Sequence, residues 1–170
     1  MWLHEVKHDG FRILPRKEPE RLRLWSRQGK SWHRTFEQIA EAVAALPVRS
    51  LVLDGEAVAH CHEGLPAFHR LLSRNGGRDA CLYVWDVLEI DGENLRPLPL
   101  QERRMRLVAL LRTEPEGLHL SEEIEGDGNT VFEHACRLNL EGIVSKRRDR
   151  AYRSGPCSNW LKIKNPSYRR

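Results

Sequence analysis

Lys7 lies in Lys7-His8-Asp9-Gly10, with Arg12 close behind. A lysine amine attacks phosphorus only with its lone pair free, a state that nearby positive charge and partial burial favour. A single Lys-x-Asp-Gly says little, because Asp-Gly is a common turn dipeptide. Three further charged segments follow in order: Asp54-Gly55-Glu56, Glu141-Gly142-Ile143-Val144-Ser145-Lys146 and Trp160-Leu161-Lys162-Ile163-Lys164. In a strand, Lys162 and Lys164 share one face, while Leu161 and Ile163 point to the other, towards the core. Two lysines in one cleft could hold a triphosphate and lower the pKa of a third. The ordinary alternative is a solvated basic edge strand. Asp54 and Glu56 likewise share a face. With Glu141 they could offer hard oxygen ligands to Mg²⁺, which is held by one or two carboxylates plus substrate phosphates. Tyr83 and Trp85 share a strand face, where either could stack on a purine or pack in the core.

Positioning these residues requires a mixed set of elements. Alternation predicts a strand around Leu22–Ser26, 51–60 is strand-like, and Cys81–Ile90 is the most hydrophobic strand, ending at the Asp91-Gly92 turn. Further strands are expected at 142–146 and 159–164. Helical spacing marks 35–46, with Thr35 or Ser31 as its cap and Pro47 as its stop. Helices are also expected at 66–73, 100–112 and 129–140. Asn75-Gly76-Gly77 reads as a turn, and Arg147 to Ser158 as a basic loop. Without regular βαβ spacing, this predicts an α+β domain with largely antiparallel sheets.

The chain has 170 residues, enough for one domain with a real core. Its net charge of +4 permits nucleic-acid binding without establishing it. Apolar runs are too short to span a membrane and no signal-peptide pattern opens the chain, so a cytoplasmic location is expected. The four cysteines lack C-x-x-C spacing and read as free thiols. His60-Cys61-His62 places both histidines on one strand face and the cysteine on the other, a poor metal set.

In order, these segments resemble the nucleotidyltransferase superfamily of ATP-dependent DNA ligases and mRNA capping enzymes, most closely the adenylation domain of bacterial ligase D-type enzymes. The resemblance rests on Glu5-Val6-Lys7-His8-Asp9-Gly10-Phe11-Arg12, Ser26-Arg27-Gln28-Gly29, Leu53-Asp54-Gly55-Glu56, Tyr83-Val84-Trp85-Asp86-Val87-Leu88 and the two lysine-bearing segments above. It implies two twisted antiparallel sheets flanked by helices, with the nucleotide between them. It implies Lys7 as the nucleophile that takes AMP from ATP, with Lys162 and Lys164 on the α-phosphate. Glu5 would read the adenine edge. Arg12, Arg27 and Glu56 would hold the ribose and the nick phosphate. Trp85, or else Tyr83, would stack on adenine, and Lys146 joins the nucleotide-binding set. Glu141, with Glu56, would serve a Mg²⁺ or Mn²⁺ ion. Nicked double-stranded DNA is the implied partner. Relatives carry a segment before the first motif and an OB-fold domain after the last. Only six residues precede Lys7 and six follow Lys164. A fragment or a minimal protein is therefore expected, weakly active alone, with a separate OB-fold domain or repair protein as partner. RNA ligation, guanylyl transfer and a catalytically weak DNA-binding module are the alternatives.

Overall fold

A computed structural model of the chain describes residues 1–61, 64, 66–73, 77–113 and 115–169. Its strands, numbered in chain order, form two sheets. The smaller has the order β1 (Trp2–Val6), β8 (Gly142–Arg147), β9 (Trp160–Lys164). The larger runs β3 (Arg21–Ser26), β2 (Phe11–Glu18), β4 (Leu51–Val58), β5 (Cys81–Ile90), β6 (Glu93–Asn94), and β7 (Leu118–Leu120) joins β5 in parallel. Every other ladder is antiparallel. With helices α1 (Glu37–Ala45), α2 (Phe68–Leu71), α3 (Leu100–Leu110) and α4 (Gly128–Arg137), the molecule is the expected α+β fold. None of the described helices is long and apolar enough to cross a membrane.

The larger core lies under the six-stranded sheet. Ile39 and Val43, one turn apart on α1, are fully buried there with Ile13, Leu53, Leu82 and Val84. Burying each such side chain contributes about 1.5–3 kcal/mol. Neither Thr35 nor Ser31 caps α1, contrary to expectation. Phe36 occupies the cap position without a side-chain bond, and Thr35 and Phe36 donate backbone bonds to Trp32 O instead. Asp127 does cap α4, accepting from the Asn129 and Thr130 amides, and Asn139 follows that helix with φ 53°.

A smaller core joins Val131 and Ala135 of α4 to Ile143 of β8. Here the sequence expectation for β9 fails. Leu161 and Ile163 are 44% and 37% exposed. α4 covers β8 and part of β1, and β9 is the sheet edge beyond its reach. Four strands were not foreseen: β1, β2 and the short β6 and β7. Pro15 hid β2, since proline lacks a ladder donor. It is accommodated because β2–β4 pairing skips Leu14 and Pro15. The Asn75-Gly76-Gly77 turn and His62 fall at least partly outside the described residues.

Candidate active site

A cleft of about 840 Å³ opens between the two sheets. Two glycines set its geometry. A Cβ on Gly10 would stand 2.0 Å from Ala57 O, so glycine alone lets the loop after Lys7 lie on β4. Gly142 has φ +142° and a Cβ there would meet Ile163 O at 2.0 Å. On the other side of β8, Gly142 O accepts from the Lys7 amide at 2.9 Å.

The inner end of the cleft is buried and charged. Glu5, 1% exposed, accepts at Oε1 from Arg104 (2.9 Å) and at Oε2 from Lys146 (2.6 Å) and Ser121 Oγ (3.2 Å). Burial pushes the Lys146 ammonium down, against the pull of Glu5. The Lys146 Nζ lies 5.2 Å from the Trp85 ring centre and 4.5 Å from that of Trp160. Trp85 owes its position to a β-bulge. The β4–β5 register passes from Asp54↔Asp86 to Gly55↔Val84 and leaves Trp85 unmatched on β4. Its buried Nε1 has no hydrogen-bond partner among the described residues. Trp85 lines the cleft. Tyr83 does not: its ring stacks on His8 at 4.1 Å, and its hydroxyl meets His60 Nε2 at 3.1 Å. Burial, then Lys146, His60 and Lys7, lower the His8 pKa to about 4.

Lys7 stands at the outer end, 17% exposed, its Nζ 2.5 Å from Glu141 Oε1. Lys164 Nζ lies 3.8 Å from the same oxygen, but it is 70% exposed and does not line the cleft. Lys162, one strand pair away opposite Val144, does line it. Burial, Arg12 and Lys7 lower the Lys162 pKa. Burial raises the Glu56 carboxyl to about 7, although Lys7, Arg12 and Lys162 pull it down. Arg27 lines the same region from the turn after β3.

Arg12 is fixed by Asp54 through two bonds of 2.9 and 2.6 Å, and Tyr152 OH donates to Asp54 Oδ2 at 2.9 Å. Burial opposes the Arg12 charge, but Asp54 more than compensates and raises its pKa. These bonds correct the proposed carboxylate trio. Asp54 is consumed by Arg12 and Tyr152, leaving Glu56 and Glu141 near Lys7. No group of three His, Cys, Asp or Glu residues disposed to hold a metal occurs among the described residues. A divalent ion sharing Glu141 with substrate phosphates fits this donor set.

Sequence reasoning missed Arg104, Tyr152 and His8. Arg104 sits inside an amphipathic helix, where a buried arginine gives no periodic signal. Tyr152 sits in a loop read only for its arginines. Those arginines are largely engaged within the protein: Arg147 and Arg150 with Asp149, Arg148 with Glu123.

Residues 1–164 match the family described as ATP dependent DNA ligase domain. The Multifunctional non-homologous end joining protein LigD of Pseudomonas aeruginosa is 38% identical over 167 residues, which is 96% of this chain and 20% of the relative. The Mycolicibacterium smegmatis LigD is 32% identical, covering 96% of this chain and 21% of that protein. The chain thus spans about a fifth of the length of these curated relatives. The crystal structure of the ligase domain from M. tuberculosis LigD superposes with TM-score 0.81 at 32% identity, over 96% of this chain and 54% of that one. This chain belongs to the ATP-dependent DNA ligase domain family.

Proposed function

We propose that the chain is an adenylation domain that takes AMP from ATP onto Lys7 and passes it to the 5′-phosphate of nicked DNA. One observation carries this reading: Lys7, Lys162, Glu56 and Arg12 line one end of a cleft, with Glu141 paired to Lys7, and the buried Glu5–Lys146 pair lines the other end. A structural neighbour at 33% identity and TM-score 0.79 is a mycobacterial ligase D complexed with ATP.

The chemistry follows from these placements. The Lys7 ammonium must first give a proton to the Glu141 carboxylate, 2.5 Å away, so that the amine lone pair is free. Lys7 Nζ then attacks the α-phosphorus, a P–N bond forms, and the bond to the β-phosphate oxygen breaks. Pyrophosphate leaves with that electron pair, and a second lysine proton goes to solvent. Lys162 lies where negative charge gathers on the α-phosphate, and such preorganised cations lower the barrier. A bound Mg²⁺ or Mn²⁺ would neutralise phosphate charge, held by Glu141 with help from Glu56. An oxygen of the DNA 5′-phosphate next attacks the lysyl-AMP phosphorus, the P–N bond breaks, and Lys7 regains a proton. The 3′-hydroxyl finally attacks the activated 5′-phosphate and releases AMP.

The inner end favours adenine. With three donors on Glu5, its carboxylate remains an acceptor with lone-pair capacity left. It can take a bond from the adenine N6 amine, while Lys146 can donate to N1. Guanine presents O6 and N1–H in those places, the reverse pattern. This favours ATP over the guanylyl alternative. Trp85 and its unpartnered Nε1 complete the pocket.

We place the reaction in cytoplasmic DNA repair, with a separate OB-fold domain or repair protein speeding it. The test is intact-mass measurement after incubation with ATP and Mg²⁺. One adenylyl group should appear on Lys7, and none with GTP. An adduct mapped to Lys146, Lys162 or Lys164 overturns the assignment.

A further inference from the structure

The cleft continues past the nucleotide-sized end. Beyond Arg12 it runs over Leu14 and Arg16 of β2, Val52 of β4 and Trp25 of β3. Arg12, Leu14 and Arg16 alternate onto one face of β2. Leu14 pairs with Trp25, and Arg16 with Val52. The result is an apolar, aromatic floor with an arginine at either end. Arg27 stands beside Trp25, two residues along the chain, and also lines the cleft.

From Arg12 to Arg16 is about 13 Å at about 3.3 Å per strand residue. Successive phosphates of one strand lie about twice the axial rise of about 3.4 Å apart, so that distance matches about two nucleotide steps. Arg12 is locked by Asp54 and Tyr152. Arg16 instead holds Glu18 at 2.9 Å in a pair that is 56% and 41% exposed, which a phosphate can displace. A basic track with an aromatic platform is how proteins hold a nucleic-acid strand without reading its sequence. ATP cannot use this extension while its α-phosphate stands at Lys7 and its base lies inward at Glu5.

We infer that Trp25 and Arg16 form a track for the DNA strand that bears the 5′-phosphate. Trp25 packs on the first sugar or base beyond the nick, and Arg16 holds a phosphate about two steps further along. The inference rests on the adenylation-domain reading but concerns a different part of the cleft.

The experiment measures two quantities on the 170-residue chain. One is fluorescence-anisotropy binding to a labelled nicked duplex over a salt series. The other is the rate of lysyl-AMP formation with ATP. Trp25→Ala should weaken duplex binding about tenfold or more, and Trp25→Phe less than threefold. Arg16→Gln should lower the slope of log K against log salt by about one. Trp25→Ala and Arg16→Gln should each lose at least fivefold more in DNA binding than in lysyl-AMP formation. A duplex with neutral methylphosphonate linkages at the first phosphodiesters beyond the nick should bind more weakly, and Arg16→Gln should add little further loss on it. The track is overturned if Trp25→Ala slows lysyl-AMP formation as much as it weakens DNA binding. An unchanged salt slope for Arg16→Gln also overturns it, as does an effect of neutral linkages only on the 3′-hydroxyl side. Absence of any Lys7 adduct would sink the adenylation reading alone, since anisotropy still decides the track.

Discussion

Glu5 at the inner end of the cleft and Glu141 at the outer end are both carboxylates ion-paired with lysine, yet they are built differently. Glu5 is 1% exposed and held by Lys146, Arg104 and Ser121. Glu141 is 14% exposed, and Lys7 and Lys164 compete for one of its oxygens. A buried network with several bonds on one carboxylate fixes geometry, because breaking it strands a desolvated charge. A part-exposed pair can exchange partners at small cost. In the proposed reaction, the rigid inner end is therefore suited to recognising a base, and the outer end to steps in which Lys7 must be released to attack and later regain its proton.

The sharpest way to break this contrast is at the nucleophile. Lys7→Ala should abolish the covalent AMP adduct while the protein melts within about 2 °C of the parent. Arginine is no substitute, since its guanidinium does not deprotonate. Residual adduct by intact mass would place the chemistry on another lysine.

The opposite signature is expected at the other end. Glu5→Ala leaves Lys146 and Arg104 buried without their partner. Removing one partner of a buried pair costs about 3–5 kcal/mol. At about 2–4 °C per kcal/mol for a chain this size, the melting point should fall by about 6–20 °C. Glu141→Ala should move it far less while impairing adduct formation. A Glu5→Ala protein as stable as the parent would mean that the inner end is not the rigid one.

Lys162 lies between these extremes. It is part-buried and faces Lys7, Arg12 and Glu56. Lys162→Ala should slow lysyl-AMP formation about 10²–10³-fold, the usual cost of one preorganised charge-stabilising group. The KM for ATP should rise much less. A loss confined to KM would make Lys162 a binding residue only.

This division was only half legible in the sequence. β5 is found at Cys81–Ile90 as expected, because a run with apolar residues on both faces, closed by an Asp-Gly turn, is a strong local signal. The Lys7, Glu141 and Lys162 convergence followed from motif order. The fate of each carboxylate did not. Asp54 and Glu56 have the same local pattern, yet Asp54 is locked by Arg12 and Tyr152, 98 residues further on, while Glu56 faces Lys7. Such pairings are set by tertiary packing, and periodicity cannot report them. The bulge that aims Trp85 and the edge position that exposes Leu161 are of the same kind.

Glu56 gives the contrast a pH axis. Its carboxyl moves from an ordinary 4.5 to about 7, chiefly through burial. The folded state thus holds a proton that the unfolded state has lost between those values. Its contribution to stability is full below about pH 4.5 and is lost as pH rises through about 7. At about 1.4 kcal/mol per pH unit, the loss is at most about 3 kcal/mol. Glu56→Gln should flatten this fall in a pH series of denaturant titrations. Lysyl-AMP formation should lose its dependence on a group near 7 in the same variant. A parent and variant with parallel stability profiles would contradict the burial of this carboxyl.

The smallest effect is expected outside the cleft, at the arginine-rich segment after β8. Arg147, Arg148 and Arg150 look like a phosphate-binding patch in sequence. In the fold they answer acidic partners: Asp149 takes Arg147 and Arg150, and Glu123 takes Arg148. Exposed pairs of this kind contribute about 0–1 kcal/mol each, so their loss should barely change stability. Because the arginines are already engaged, replacing all three with glutamine should change the salt slope of nicked-duplex binding less than Arg16→Gln alone. Arg153 belongs to the same stretch but lines the cleft. Adding Arg153→Gln to the triple variant should therefore produce the larger step. If the triple variant already removes three or more from the slope, the exposed loop rather than the cleft is the principal DNA contact.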